Sequence, residues 1–272
     1  MKKNNNPIVQ AVIDKFDMVY KTTTLFLQNT KSKKNKEDKY SAIKGLLICG
    51  DAGTGKSHFV QKACIDMQKT EDVKKIKGSI TAAALYVALY MYRDEGKVLM
   101  LDDCDILNLT AKERSAIIDM FKAATELTKG DRLISWERAA PNPLMIANEV
   151  PNSFNYQGSI VWITNDTITD FHSKLKNHWM AIDSRFTTVP IALNKEEKLL
   201  YTIYLIEEVG MLGKSCQAKE GGYPIKIQNE TINFINENYK MLNDITPRMA
   251  IKVADTIYNH PSDWKKYLQY QI

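Results

Sequence analysis

One run of residues in this chain has the composition and spacing of a phosphate-binding loop. The pattern G-x-x-x-x-G-K-[ST] is matched by Gly50, Asp51, Ala52, Gly53, Thr54, Gly55, Lys56 and Ser57. Its glycines let the backbone wrap around phosphate oxygens, and the helix that follows adds the positive end of its dipole. Lys56 is placed to neutralise phosphate charge and the Ser57 hydroxyl to ligate Mg²⁺. The run therefore predicts a nucleotide phosphate site, which we extend to His58.

A second group of residues able to do chemistry lies further along the chain. Four apolar residues, 98–101, are followed directly by Asp102 and Asp103, a pattern typical of a Walker B strand. Carboxylates at the carboxyl end of a parallel strand beside a phosphate loop hold Mg²⁺ and orient an attacking water. The pair is weak evidence by itself, and it gains weight because it lies downstream of the loop.

The elements that must position these residues follow from hydrophobic periodicity. Apolar runs at 46–49, 98–101, 160–163 and 188–191 predict buried parallel strands. Helical spacing predicts helices over 7–28, 56–69, 81–93, 110–128, 195–211, 228–242, 247–259 and 262–270. Thr110 and Glu113 fit a capping box at the start of one of them. Between these elements, 133–136 and 144–147 predict the two strands of a β-hairpin.

The order of these elements predicts the fold class and its division. Strands alternate with helices and then give way to helices alone, which favours an α/β architecture: a parallel sheet with flanking helices and a phosphate loop, followed by a small all-helical lid. We expect residues 1–40 to form an N-terminal helix and a basic linker, 41–192 the nucleotide-binding core, and 193–272 the helical lid.

The chain resembles the AAA+ ATPase family over roughly residues 41–259. Besides the two motifs above, residues 160–163 form an apolar strand that ends in Thr164 and Asn165, as the family's sensor 1 strand ends in a polar residue. Residues 182–186 resemble its arginine-finger segment and residues 245–251 the start of its sensor 2 helix. The motifs occur in the family's order.

The resemblance implies roles for these residues. ATP and Mg²⁺ are the implied cofactors. Asp102 would hold the metal, Asp103 would be the catalytic base, and Asn165 would align the attacking water. Arg248 would touch the phosphates bound by its own subunit, and Arg185 those bound by a neighbouring subunit. The active unit would then be a homo-oligomeric ring or arc. The family usually has Glu where this chain has Asp103, which predicts slow turnover.

The scarcity of arginine strengthens this assignment. The chain has 31 lysines and only 6 arginines. Two of the six, Arg185 and Arg248, fall at the family's two arginine positions. Arginine is preferred over lysine where a planar, permanently charged group must hold a phosphate.

Charge and composition leave the substrate open. The net charge is +5, and residues 1–40 account for it with nine lysines and four acids. Lysines in 74–78 and the aromatic and arginine residues of 131–158 (Arg132, Trp136, Arg138, Phe154 and Tyr156) could contact nucleic acid, or could be a solvated loop and a packed hairpin. Residues 1–40 could recruit a partner. The hypotheses are action on nucleic acid, protein remodelling, and a nucleotide-dependent switch.

Compartment and redox state follow from simpler features. No run of eighteen apolar residues is present, and the first residues lack an apolar stretch typical of a secretory signal, so we expect a cytoplasmic protein with no membrane association. Four cysteines without Cys-x-x-Cys spacing predict free thiols, and the histidines show no spacing typical of a zinc site.

Overall fold

The computed structural model of the chain describes residues 4–30, 43–128, 130–137, 142–214, 216 and 218–269. The helices are α1 (Pro7–Gln28), α2 (Lys56–Asp66), α3 (Ala82–Met91), α4 (Ala111–Ala124), α5 (Pro143–Ala147), α6 (Ile168–Leu175), α7 (Asn177–Asp183), α8 (Lys195–Glu207), α9 (Ile225–Asn238), α10 (Pro247–Asn259) and α11 (Trp264–Gln269), with a 3₁₀ turn at Thr70–Asp72. The strands are β1 (Gly45–Gly50), β2 (Val73–Lys77), β3 (Val98–Asp102), β4 (Leu133–Ser135), β5 (Ser153–Asn155), β6 (Ser159–Ile163) and β7 (Phe186–Ile191).

A five-stranded parallel sheet forms the centre of the α/β part. Its strand order is β2-β3-β6-β1-β7, and each neighbouring pair is parallel. Strands β1, β3 and β6 are buried along their whole length, as their continuous apolar runs predict. Helices flank the sheet and a helical region follows it, which confirms the predicted fold class.

The chain divides into two compact units. One, the sheet unit, contains Met18–Asp51 and Lys56–Ile191; the other, the helical unit, contains Met1–Asp17, Ala52–Gly55 and Ala192–Ile272. The core of the sheet unit includes Trp162, which is packed among Phe121 and Phe171. The predicted division at residues 40 and 192 concerns folding domains and stays a prediction.

The helical unit has a core of its own. Leu212, Ile235 and Val253 are among its most buried apolar side chains. Helix α10 begins at the predicted residue, because Thr246 caps it by accepting a hydrogen bond from the Met249 amide and Pro247 occupies the first turn, where no amide hydrogen is needed. The helix therefore has a fixed start just before Arg248.

Helix α1 buries one of its faces. It has the bounds that periodicity predicts, Pro7–Gln28. In the helical unit the Phe16 ring stacks on Tyr201 with centroids 5.0 Å apart. In the sheet unit Val19 and Leu27 are fully buried. Residues 7–28 are thus part of the packed chain and not a free recruitment arm, whereas the predicted lysine linker at 31–39 lies outside the described residues.

The segment 131–158 differs from its prediction. Strand β4 pairs antiparallel with β5, Ser153–Asn155, and residues 144–147 belong to the short helix α5. The alternation at 144–147 is too short to distinguish a strand from one helical turn. Asn142 accepts a hydrogen bond from the Leu144 amide, and Pro143 occupies the first turn, so local capping favours the helix.

Two further expectations are corrected. The lysines at 74–77 lie in the edge strand β2, which pairs with β3, and do not form a loop between helices. The capping box at α4 is half formed: Thr110 accepts from the Glu113 amide, but the Glu113 carboxylate accepts from the Ala82 amide at 2.7 Å and so caps α3. The Glu113 carboxylate therefore binds the N-terminus of a neighbouring helix, α3, and not the backbone amide at the start of its own helix.

Among the described residues, no helix combines the length and the apolar character needed to cross a bilayer.

Candidate nucleotide site

The phosphate loop connects the sheet to α2 and requires its glycines. Gly50, Gly53 and Gly55 have positive φ angles of 129°, 70° and 100°. At Gly50 a Cβ atom would lie 1.8 Å from the Ile191 carbonyl oxygen, and at Gly53 it would lie 2.7 Å from the Thr246 side chain. Any other residue would strain or displace the loop. Backbone conformation therefore explains all three motif glycines, and the lack of space for a Cβ atom adds to it at Gly50 and Gly53.

Lys56 is buried and holds the loop together. Its Nζ donates to the carbonyl oxygens of Gly50 and Asp51, at 2.8 and 2.6 Å, and to Asn165 Oδ1 at 3.0 Å. Burial lowers the pKa of Lys56 to about 8, against the opposing effect of Asp51 and Asp103. The ammonium group is mostly charged at neutral pH and satisfied by oxygens that bound phosphates could replace.

Asp102 lies at the end of β3 and is 1% exposed. Its Oδ1 accepts a hydrogen bond from the Ser57 hydroxyl at 2.5 Å. Its Oδ2 meets no well-aligned hydrogen-bond donor among the described residues, and its partner is the ammonium of Lys75, 2.7 Å away. The sequence predicts Ser57 and Asp102 as neighbours but gives no such role to Lys75.

These two oxygen-bearing side chains fit Mg²⁺. That ion prefers oxygen ligands and is usually held by one or two protein groups, with water and substrate phosphates completing its shell. The described residues contain no cluster of three or more acidic, histidine or cysteine side chains that could hold a metal alone. Ser57 and Asp102 are therefore a donor set for Mg²⁺ that arrives with a nucleotide.

Asp103 and Asn165 meet beside this pair. Asn165 Nδ2 donates to Asp103 Oδ1 at 2.5 Å, while Asn165 Oδ1 accepts from Lys56. Asp103 has a φ of 59°, in the left-handed region that non-glycine residues rarely adopt, and its amide donates to Ile163. The strands explain the meeting, because β3, β6 and β1 are neighbours and their carboxyl ends share one edge.

Arg185 follows α7 and is paired within the chain. Its Nη2 lies 2.8 Å from Glu126 Oε2, and its Nη1 donates to the Ala181 carbonyl oxygen at 3.1 Å. The hydrogen bond from Arg185 holds the pKa of Glu126 below its ordinary value. Arg185 is thus not brought to Lys56, Asp102, Asp103 and Asn165 in this chain. Glu126 is a partner that sequence reasoning missed.

Arg248 lies in the first turn of α10, where it is exposed and enters no ion pair with a described residue. Two residues before it, Thr246 packs against loop residue Gly53, which belongs to the same compact unit. The loop residues Ala52–Gly55 and the start of α10 are therefore close together. His58, the last residue of the predicted site, is exposed with its ring edge-on to Phe59.

The surfaces predicted to contact nucleic acid are not available for stacking. Trp136, Phe154 and Tyr156 are buried at 7%, 7% and 1% exposure and belong to the core of the sheet unit. Arg132 is buried as well, with its Nε donating to the Glu126 carbonyl oxygen. Packing on the chain's own core agrees with these buried side chains, although the segment is not the predicted hairpin. Arg138 lies outside the described residues.

Comparison with known proteins identified a relative in a bacteriophage. No family model matches the chain. It is 27% identical over 233 residues to a protein of Enterobacteria phage T4, named as an uncharacterized 36.7 kDa protein in the nrdC-mobD intergenic region. The match covers 82% of this chain and 66% of the phage T4 protein. The chain thus spans just under two thirds of that relative.

Three solved structures are similar to the chain at low identity. A DNA replication initiation factor has a TM-score of 0.49 at 15% identity, over 94% of this chain and 65% of that one. Domain III of the Thermotoga maritima replication initiation protein DnaA has 0.45 at 11%, over 93% and 89%. AMPPCP-bound DnaA from Aquifex aeolicus has 0.41 at 13%, over 92% and 69%. All three TM-scores lie below 0.5, and no residue role follows from them.

The arrangement within the chain decides its fold class. A phosphate loop follows β1, two acids end or follow the adjacent-but-one strand β3, and a polar residue follows β6 between them. A helical region with Arg248 comes after the sheet. This chain has an α/β fold in which a parallel sheet with flanking helices and a phosphate loop is followed by a helical region. Within this arrangement, sequence reasoning missed Lys75 and Glu126, whose contacts depend on strand register and on a pairing across 59 residues.

Proposed function

We propose that this chain is a Mg²⁺-dependent ATPase. The observation that supports the proposal most is the meeting of Lys56, Asp102, Asp103 and Asn165 at the carboxyl edge of three neighbouring strands, beside a glycine-rich loop. A base, a metal-holding acid, a polar orienting group and a phosphate-binding lysine are what phosphoryl transfer to water needs from a protein.

Each residue has a role under this proposal. Lys56 exchanges the carbonyl oxygens of Gly50 and Asp51 for phosphate oxygens. Ser57 and Asp102 hold Mg²⁺, which neutralises phosphate charge when bound. Asp103 accepts a proton from the attacking water, and Asn165 holds that water in line.

The two arginines act on the same phosphates from different subunits. Arg248 contacts the nucleotide of its own chain from the first turn of α10. Arg185 exchanges Glu126 for the γ-phosphate of a neighbouring subunit, which makes the active form a homo-oligomeric ring or arc. The Arg185–Glu126 pair supports this, since a partly exposed ion pair is worth little and is readily exchanged.

For the substrate we propose nucleic acid, on which the ATPase drives remodelling or loading. Its support is the charge asymmetry of the sequence, with nine lysines among residues 1–40. The burial of Trp136, Phe154 and Tyr156 removes one route of contact and leaves lysines as the candidates, those of residues 1–40 and those of β2. Stimulation by unfolded protein alone would favour protein remodelling instead.

Steady-state ATP hydrolysis by the wild type and by Asp103→Asn tests the ATPase proposal. We expect the variant to lose at least about tenfold in rate, because a general base contributes about 10² or more, while nucleotide binding persists. Asp105→Asn, an exposed acid two residues away that pairs with Asn108, is the matched control. Equal rates for wild type and Asp103→Asn would show that Asp103 is not the base.

A further inference from the structure

We propose that Lys75 is a positioning residue that sets the Mg²⁺ requirement of this site, by occupying the metal-binding carboxylate whenever the metal is absent. The inference rests on the proposed function, because it concerns the same Asp102. It assigns a role to an edge-strand lysine whose residue type alone suggests only a solvated surface.

The geometry leaves Lys75 as the one ion-pair partner of Asp102 among the described residues. Lys75 lies on β2, two residues before Lys77, which is in register with Asp102. Side chains two apart on a strand share a face, so Lys75 reaches forward along β2 to Asp102. Its Nζ is 2.7 Å from Oδ2, while Oδ1 is bonded to Ser57. Both oxygens of a buried carboxylate are thereby occupied.

The burial of Asp102 gives its ion pair with Lys75 a large effect on stability. Asp102 is 1% exposed, and a buried carboxylate without a counter-charge is costly. Lys75 is 39% exposed and its aliphatic stem is flexible, so its ammonium group can leave the carboxylate for solvent at small cost. The asymmetry suits a replaceable counter-ion: the acid stays fixed and the lysine moves.

Electrostatics fixes the direction of the effect. Mg²⁺ binding at Ser57 and Asp102 would require the Lys75 ammonium to leave Oδ2, because two positive charges held at one carboxylate repel strongly in a partly buried site. Lys75 therefore competes with the metal for Oδ2, and this competition raises the Mg²⁺ concentration that the nucleotide complex needs. Removing the charge at Lys75 therefore tightens Mg²⁺ binding and destabilises the metal-free protein.

The experiment titrates Mg²⁺ into the full-length protein with a fluorescent ADP analogue bound. Lys75→Met is compared with the wild type and with Lys74→Met, an exposed lysine on the same strand that has no ion pair among the described residues. We expect the Mg²⁺ concentration at half-saturation to fall by about tenfold in Lys75→Met. Lys74→Met and Lys75→Arg, which keeps the charge, stay at the wild-type value.

Thermal unfolding supplies a readout that does not depend on turnover. In EDTA we expect Lys75→Met to unfold at a lower temperature than Lys74→Met, with the difference shrinking when Mg²⁺ and nucleotide are added. Lys75→Gln gives the same pattern and replaces Lys75→Met if that variant does not fold. Unchanged or higher Mg²⁺ half-saturation in the folded variant overturns the role of Lys75. Failure of the wild type to bind the nucleotide analogue overturns the proposed function instead.

Discussion

Asn165 links the phosphate loop to the proposed base, since its oxygen accepts from Lys56 and its nitrogen donates to Asp103. Together with Ser57–Asp102 and Lys75–Asp102, this connection satisfies the charged groups of the site without a ligand. Under the proposed function, binding of a nucleotide would exchange these partners and leave no buried charge uncompensated. The backbone of Asp103 has a left-handed conformation, which is held by the hydrogen bond that its amide donates to the Ile163 carbonyl oxygen.

The thiols give a prediction at the residue scale. All four cysteines are free and buried, and burial raises the pKa of Cys49 to about 12 and those of Cys64 and Cys104 to about 11. The thiolate is the reactive form, so these three groups are almost entirely unreactive at pH 8. We expect iodoacetamide to label them slowly in the native protein and fully within minutes in guanidinium. Mass spectrometry of the peptides reports both. Rapid native labelling of Cys49 would mean that β1 is not buried as described.

At the scale of elements, the buried strands and helix α1 are predictable from sequence, and the edge strand β2 is not. Strands β1, β3 and β6 are continuous apolar runs, and α1 has a clear helical period, so each is recognisable. Strand β2 has three lysines in five residues because one side of an edge strand faces solvent. Such a lysine-rich sequence resembles a solvated loop.

The candidate site divides in the same way. The loop and the two acids are readable because local spacing specifies them. The partnership of Lys75 with Asp102 and of Arg185 with Glu126 depends on register and on long-range packing, which one sequence does not reveal. The aromatic residues near β4 and β5 could not be assigned from sequence for a related reason. A Trp or Tyr that stacks on a nucleic-acid base and one that packs in a protein core have the same side chain.

Helix α1 provides the prediction at this scale. Phe16 is fully buried, while Met18 on the same helix is 58% exposed. Phe16→Ala is expected to lower the free energy of unfolding by about 3–5 kcal/mol, because it removes a large buried ring and leaves a cavity. Met18→Ala should change it by less than about 1 kcal/mol. Urea unfolding of both variants is the measurement. Equal, small effects would show that α1 is a loosely attached arm after all.

At the scale of the whole molecule, the net positive charge and the candidate site lie in different parts of the chain. The +5 charge arises before residue 41, and the remaining residues are balanced. Residues 7–28 are packed, so under the proposed function the lysines of the predicted linker at 31–39 are the first candidates for contact with nucleic acid. Removing one lysine that binds a phosphate makes the salt dependence of nucleic-acid binding shallower by about one unit of slope. Replacing the linker lysines with glutamine is therefore expected to weaken nucleic-acid binding and its salt dependence together, as measured by fluorescence anisotropy at several salt concentrations.

Oligomer chemistry has a direct test through mixed variants. If Arg185 acts on a neighbour's nucleotide, Arg185→Ala and Lys56→Ala are each inactive alone, since a finger is worth about 10³–10⁵ in rate. Mixing them creates interfaces that combine an intact loop from one chain with an intact Arg185 from the other. We expect the mixture to recover ATP hydrolysis that neither variant has. Absence of recovery, with mixed oligomers present by mass photometry, would place Arg185 in its own subunit's site or outside catalysis.

The proposed nucleotide site depends most on the phosphate loop, in which Lys56 is the residue expected to bind phosphate. ATP binding in the presence of Mg²⁺ is measured by calorimetry for the wild type, Lys56→Ala and Lys62→Ala. Lys62 is the matched control because it lies on the same helix, exposed and paired only with Asp66 and the Tyr20 ring among the described residues. We predict saturable binding to the wild type and to Lys62→Ala, with an affinity at least about tenfold weaker for Lys56→Ala. Equal affinity for all three proteins, or none for the wild type, would contradict the assignment of this loop as a nucleotide site.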